Sequence, residues 1–83
     1  MTSVISCATH DYFEAACVLQ YTIALTLKNG KNFVGEAKNI VRNEHRQECL
    51  VILFDGITHD IEMSEIANAR ILNDNARFTE IPI

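Results

Sequence analysis

The sequence predicts a mainly β protein, a small antiparallel barrel of about five strands with one short N-terminal helix. Two observations lead to this prediction. Several short segments alternate apolar with polar residues, which is the period of a half-buried strand. Two junctions between such segments carry Asn-Gly and Asp-Gly, the dipeptides most typical of tight β-hairpins. Because 83 residues leave room for one core, we expect a single domain over residues 1–83.

The helix is expected from Asp11 to about Gln20, after an irregular segment over residues 1–10. Asp11 and Glu14 are three residues apart, as in an acidic variant of the capping box. Both carboxylates would also interact favourably with the positive end of the dipole of a helix that starts here. A helix this short is not stable alone in water, so its apolar face should pack on the sheet. The residues of that face are Phe13, Ala16 and Cys17.

The first hairpin is predicted from strands over residues 21–27 and 32–41. Between them, Asn29-Gly30 tolerates positive φ at both central positions of a turn, so a type I′ turn is expected. Gly35 lies in the middle of the second strand, where a glycine often marks a bend or a bulge. A polar loop over residues 43–47 follows.

The second hairpin is predicted around Asp55-Gly56. The strand before it, residues 48–54, is apolar at consecutive positions and should be covered on both faces. Residues 57–63 return, a turn at 64–68 leads to a fifth strand over 69–72, and 77–81 could add an edge strand. Such a meander suits a closed or nearly closed barrel, which removes exposed edges. The expected core residues are Ile23, Leu25, Phe33, Leu50, Ile52, Ile61 and Ile66.

Charge and cysteine content narrow the function classes. The formal net charge is −4 and the pI about 5.2, whereas proteins that bind nucleic acid usually present a basic face. We therefore expect no direct nucleic-acid binding, and a basic partner suits this surface better. No signal peptide or membrane-spanning run is expected. The odd set of cysteines favours reduced thiols in the cytoplasm: Cys7, Cys17 and Cys49.

No arrangement of residues predicts an enzyme, a cofactor or a metal. Cys7 and His10 have a two-residue gap, but a structural zinc needs four grouped ligands and no paired C-x-x-C is present. The other cysteines are interpreted as small core residues. His45 and His59 lie in a loop and on a strand with no spacing that predicts a neighbouring thiol, and the phosphate-binding glycine motifs are absent.

Four acidic residues are the candidate binding site. Asp11 and Glu14 share the helix, while Glu44 and Glu48 flank the polar loop. They are interpreted either as a solvated helix cap and a solubilising loop or as an acidic edge that docks into a basic cleft. In the second case, carboxylates would compete for Arg and Lys side chains that otherwise hold RNA. Periodicity does not decide between these interpretations.

The chain resembles the Rho-binding antiterminator family, also called Rof, from about Ile5 to Ile66. The motifs are Ile5-Ser-Cys7, Asp11-Tyr-Phe-Glu14-Ala-Ala16-Cys17, Leu25-Thr-Leu27-Lys-Asn-Gly30, Gly35, Glu48-Cys-Leu-Val and Ile61-Glu-Met-Ser-Glu-Ile66. The helix motif with its two flanking cysteines is the most specific of them.

The resemblance implies an Sm-like barrel with an added N-terminal helix. It also implies binding to the RNA-binding N-terminal domain of transcription termination factor Rho and inhibition of termination. We expect the protein to be a monomer in the bacterial cytoplasm. The family's acidic helix positions correspond to Asp11 and Glu14, which are therefore the first expected contacts with Rho. The chain departs from the family pattern at three places: Ala8-Thr9-His10 before the helix motif, Ser64, and the loop over residues 43–47.

Two alternatives stay open. Sm-like domains also bind RNA in rings, and the spacing of Gly30, Gly35 and Asn39 is similar to the first Sm motif. The Arg-Gly pair of the second motif is missing, however, and Asn68-Ala-Arg70 stands roughly in its place. The other alternative is a structural or toxin-like interaction protein with a different basic partner.

Overall fold

The computed structural model describes residues 7–83, with side chains from residue 8 onward. One helix precedes five antiparallel strands, which confirms the predicted mainly β class. An irregular segment was predicted over residues 1–10; residues 1–6 lie outside the described part, and residues 7–10 belong to the helix, so the prediction is wrong there. The elements are α1 (Cys7–Val18), β1 (Thr22–Leu27), β2 (Asn32–Arg42), β3 (Glu48–Phe54), β4 (Ile57–Glu62), a 3₁₀ helix (Met63–Glu65) and β5 (Ile66–Ile71).

The sheet has the strand order β4-β3-β2-β1-β5 and is open, so the expected closure of the barrel is wrong. The 3₁₀ helix carries the chain from β4 at one end of the sheet to β5 at the other, where Ile23 pairs with Ile71. Within residues 7–83, no strand pairing joins β4 to β5. The C-terminal segment instead pairs along the outer edge of β5.

That C-terminal pairing is one bridge and not the edge strand expected over residues 77–81. Arg70 and Glu80 form the bridge. The Ile71 N–H donates to the Thr79 carbonyl at 2.7 Å, and the Ile81 N–H donates to the Ala69 carbonyl at 3.1 Å. The next residue is Pro82, which has no N–H to continue a ladder.

The two predicted hairpins close with different turns. Asp55 and Gly56 have φ of 54° and 78°, and Phe54 pairs with Ile57, so the predicted second hairpin is confirmed and its turn is of type I′. In the first hairpin, positive φ occurs at Gly30 and not at Asn29. The Gly30 N–H donates to the Leu27 carbonyl at 2.9 Å, so the loop is a three-residue turn that ends in a glycine bulge, and the type I′ expectation is wrong there.

Gly35 is required by a close approach between β2 and β3. A Cβ atom at this position would lie 2.8 Å from the Leu53 carbonyl oxygen and 3.2 Å from the Ile52 Cβ atom. The register of the same strand pair shifts between Ala37 and Asn39, which places a β-bulge at Lys38. The predicted irregularity of this strand is therefore present, three residues beyond the glycine.

The helix starts four residues earlier than predicted and ends two residues earlier. It begins at Cys7, and its first turn contains no acidic residue, so the expectation that Asp11 and Glu14 cap the helix is wrong. After Val18 the chain turns through Gln20, which has φ of 55°. The Tyr21 N–H donates to the Ala16 carbonyl at 3.0 Å, the pattern of a Schellman C-cap.

The core lies between α1 and one face of the sheet. Phe13 and Ala16 are fully buried on the helix side, as predicted. Six of the seven predicted sheet residues are buried, whereas Phe33 is partly buried and packs against the core. No helix in the described part of the chain is long and apolar enough to cross a membrane. The core residues that the sequence pattern missed include Tyr21, Met63, Ala69, Ile71 and Ile81.

Candidate acidic binding surface

Helix α1 is fastened to the sheet by the C-terminal segment. The Thr9 hydroxyl donates to the Pro82 carbonyl at 2.6 Å. The Phe78 ring packs edge-on against Tyr12 and Tyr21, with ring centroids 5.0 and 5.5 Å apart. The Tyr21 hydroxyl accepts a hydrogen bond from the Arg77 N–H at 3.0 Å. These contacts fix where the acidic residues of α1 stand relative to β3.

His10 connects two of the predicted site residues. Its Nδ1 atom lies 3.5 Å from Glu14 Oε2, one helical turn along α1, and its Nε2 atom lies 3.2 Å from Glu48 Oε2 at the start of β3. Arg42, which pairs with Glu48 across β2 and β3, places its Nη2 atom 3.8 Å from Glu48 Oε1. The structure therefore brings Glu14 and Glu48 to one surface, although they are far apart in sequence.

Asp11 belongs to the same surface. The ligand atoms of His10, Asp11 and Glu14 all lie within 4.8 Å of one another, and both carboxylates are exposed. Since these side chains project from consecutive turns of one helix, a partner that approaches α1 meets them together.

Glu44 stands apart from this group. It is exposed in the loop between β2 and β3, and its Oε1 atom lies 3.7 Å from His45 Nε2. Asn43 organises the loop: its side-chain oxygen accepts hydrogen bonds from the N–H groups of His45 and Gln47, at 2.9 and 3.0 Å. Three of the four predicted site residues, Asp11, Glu14 and Glu48, therefore lie together around His10, and Glu44 lies at the margin of this surface.

Two clefts flank the exposed side of α1. The first, of about 470 Å³, lies between the helix and the ends of β2 and β3. The second, of about 370 Å³, lies between the helix and Arg77. Glu14 and Val18 line both clefts. Val18 was not predicted as a site residue, and a signal was available, because it follows Asp11 by seven residues and falls on the same helical face.

Cys17 and Cys49, the two cysteines whose side chains the structure describes, form no disulfide and are at least partly buried. Burial, and secondly the nearby Glu14, raises the pKa of the Cys17 thiol to about 11. Burial also raises the pKa of Cys49, followed by the carboxylates of Glu62 and Asp60. Both thiols are therefore protonated near neutral pH and are poor nucleophiles or metal ligands. The side chain of Cys7 lies outside the described part.

A small β fold that presents acidic side chains from two elements on one surface, Asp11 and Glu14 from α1 and Glu48 from β3, has the form of a binding module. The family model for modulators of Rho-dependent transcription termination (ROF) matches residues 4–83, so the chain belongs to that family. A solved structure described as YaeO bound to magnesium, from Vibrio cholerae O395, is similar with a TM-score of 0.81 and 26% identity over 98% of this chain and 99% of that one. No curated protein matches the chain by sequence.

The donor set on α1 does not fit a resident magnesium ion. Magnesium prefers six oxygen ligands in near-octahedral geometry. The group of His10, Asp11 and Glu14 offers one imidazole and two exposed carboxylates from a single helix, and both imidazole nitrogens already face carboxylates.

Proposed function

We propose that this chain inhibits Rho-dependent transcription termination by binding the RNA-binding N-terminal domain of Rho through its acidic surface, which consists of Asp11, Glu14 and Glu48. Family membership supports Rho as the partner. The observation that carries the choice of surface is the convergence of Glu14 and Glu48 on the His10 ring from separate elements. Glu44 would contribute at the margin of the contact.

The physical basis is competition for basic groups. A site that holds RNA neutralises phosphates with Arg and Lys side chains. Carboxylates held on a folded scaffold offer those side chains alternative charge-assisted hydrogen bonds, with little further loss of entropy on docking. Occupation of the site would prevent RNA from engaging Rho. We propose that the protein acts as a single-domain monomer in the cytoplasm, where transcription takes place.

The test is reversal of charge on the helix. The variant Asp11→Lys with Glu14→Lys should weaken binding to Rho by at least about tenfold, because two attractive contacts become repulsive. Since neither residue caps α1, the fold is expected to persist, which circular dichroism would verify. Binding should be measured by calorimetry, and inhibition by a termination assay with purified Rho.

The matched control changes the net charge equally at another place. Asp60 on β4 and Glu65 in the 3₁₀ helix are both exposed, and Asp60→Lys with Glu65→Lys should leave binding near the wild-type level. Equal losses in the two double variants would show that net charge matters and the α1 surface does not. Binding of short RNA by the wild-type chain, without binding to Rho, would favour the RNA-binding alternative.

A further inference from the structure

The exposed face of α1 combines charge with an unusually exposed apolar side chain. Asp11, Glu14 and Val18 are spaced at i, i+3 and i+7, so they form one line along the helix, here called the helix ridge. Val18 has 77% of its surface exposed, more than the other exposed large apolar residues of the described part, and Leu19 beside it has 38%. No core packing accounts for an aliphatic residue at this position.

The helix ridge stands between two depressions. Glu14 and Val18 line both flanking clefts, while Asp11 and Leu19 line the cleft on the Arg77 side. A partner can therefore contact the helix ridge and also place side chains in the clefts on both sides of it. Exposed apolar groups in the centre of a polar surface are typical of anchoring residues in protein interfaces.

The charges of the helix ridge determine which occupant fits. The helix ridge carries two carboxylates, whereas the nearby basic groups stand in the flanking clefts. In the first cleft, Lys38 pairs with Glu36 at 3.0 Å and Arg42 contacts Glu48 at 3.8 Å, and Arg77 lines the second. Nucleic acid and anionic membranes would be repelled by the carboxylates of the helix ridge. Two copies of the chain whose helix ridges faced each other would oppose like charges. A protein surface with basic side chains meets none of these penalties.

We propose that Val18, with Leu19, is the apolar anchor of the partner-binding surface, and that the helix ridge docks on a protein surface where arginine or lysine side chains surround an apolar contact. The aliphatic stems of these side chains pack over Val18 and their charged ends reach Asp11 and Glu14. This inference rests on the proposed function and identifies the chemistry of the Rho surface that the chain selects.

The test separates apolar anchoring from charge. Val18→Thr keeps the shape of the side chain and Val18→Ser shortens it, and because Val18 is mostly exposed, neither should alter the thermal midpoint much. Calorimetry with intact Rho should show affinity reduced by about tenfold for Val18→Ser and less for Val18→Thr, in keeping with the loss of a buried interface side chain. The slope of log Kd against log salt should stay as in the wild type, whereas Asp11→Lys with Glu14→Lys should change it.

The matched control is Ile57→Ser, which removes a side chain of similar size that is 61% exposed in the hairpin between β3 and β4. It should bind Rho as the wild type does. Wild-type affinity in both Val18 variants, while the wild-type chain binds Rho, would overturn this inference and leave the proposed function standing. Absence of Rho binding by the wild-type chain would overturn both. Self-association that depends on Val18, seen by sedimentation, would also overturn it in favour of a second copy as the occupant.

Discussion

The Nε2 atom of His10 on α1 lies 3.2 Å from the Oε2 atom of Glu48 on β3, and this pair joins the helix to the sheet. Replacement of His10 by Ala removes this contact and the contact with Glu14 Oε2, so we expect the free energy of unfolding to fall by roughly 0.5–1 kcal/mol, as for other partly exposed side-chain pairs. Urea unfolding of the variant and the wild type under the same conditions checks this. An unchanged free energy of unfolding would show that the His10 ring does not hold the helix to the sheet.

Leu25 on β1 is 1% exposed in the centre of the core. Replacement by Ala should lower the stability by about 2–5 kcal/mol, because the methyl groups leave a cavity that the closely packed surroundings fill incompletely. For a domain of this size each kcal/mol corresponds to roughly 4–8 °C in the thermal midpoint. Val34→Ala, on a side chain that is 43% exposed, is the control and should change the midpoint little. A shift of a degree or two in Leu25→Ala would place this residue outside the core.

The thiol of Cys17 makes stability depend on alkaline pH. The folded state raises its pKa from 9.0 to about 11, so between these values the unfolded chain loses a proton that the folded chain keeps. The stabilisation is fully present below pH 9.0 and is lost as the pH rises through about 11. Urea unfolding at several pH values across this window should therefore show a steeper decline for the wild type than for Cys17→Ala. Parallel curves would contradict the assignment.

The fold should need neither a metal nor a disulfide. Cys17 and Cys49 are free, and the donor set of His10, Asp11 and Glu14 does not fit magnesium. Treatment with a chelator and a reductant is expected to leave the circular dichroism spectrum and the thermal midpoint unchanged. Added magnesium should not raise the midpoint, since a ligand that binds the folded state would do so. A loss of structure under chelation would revive the zinc interpretation that includes Cys7.

Local sequence signals predicted the parts of the fold that depend on neighbouring residues. The alternation around Leu25 and the dipeptide Asp55-Gly56 act within a few residues, and both predictions are confirmed. The start of α1 depends on contacts with residues distant in sequence, because Thr9 bonds to Pro82 and His10 contacts Glu48. No local pattern reports such partners, so the helix was expected to begin too late.

For the candidate site as well, the sequence predicted what depends on local spacing and not what depends on distant contacts. The spacing of Asp11 and Glu14 placed them on one helical face, and the structure agrees. Glu44 was grouped with Glu48 because both flank one loop, but only Glu48 turns towards the helix within the described part of the chain. Val18 was not predicted, because an aliphatic side chain can belong to a binding surface only if it is exposed, and its exposure of 77% depends on the packing of α1.

The C-terminal segment along β5 restricts how copies of this chain can assemble. A ring or a fibril built by strand addition requires two unpaired edges in each subunit, one to give and one to receive hydrogen bonds. Here the Ala69 carbonyl and the Ile71 N–H are already bonded to Ile81 and Thr79, so, within residues 7–83, β4 is the edge strand that is left for another chain. Strand addition would then stop at a pair of molecules, and growth beyond a dimer would first require the chain's own C-terminal segment to leave β5.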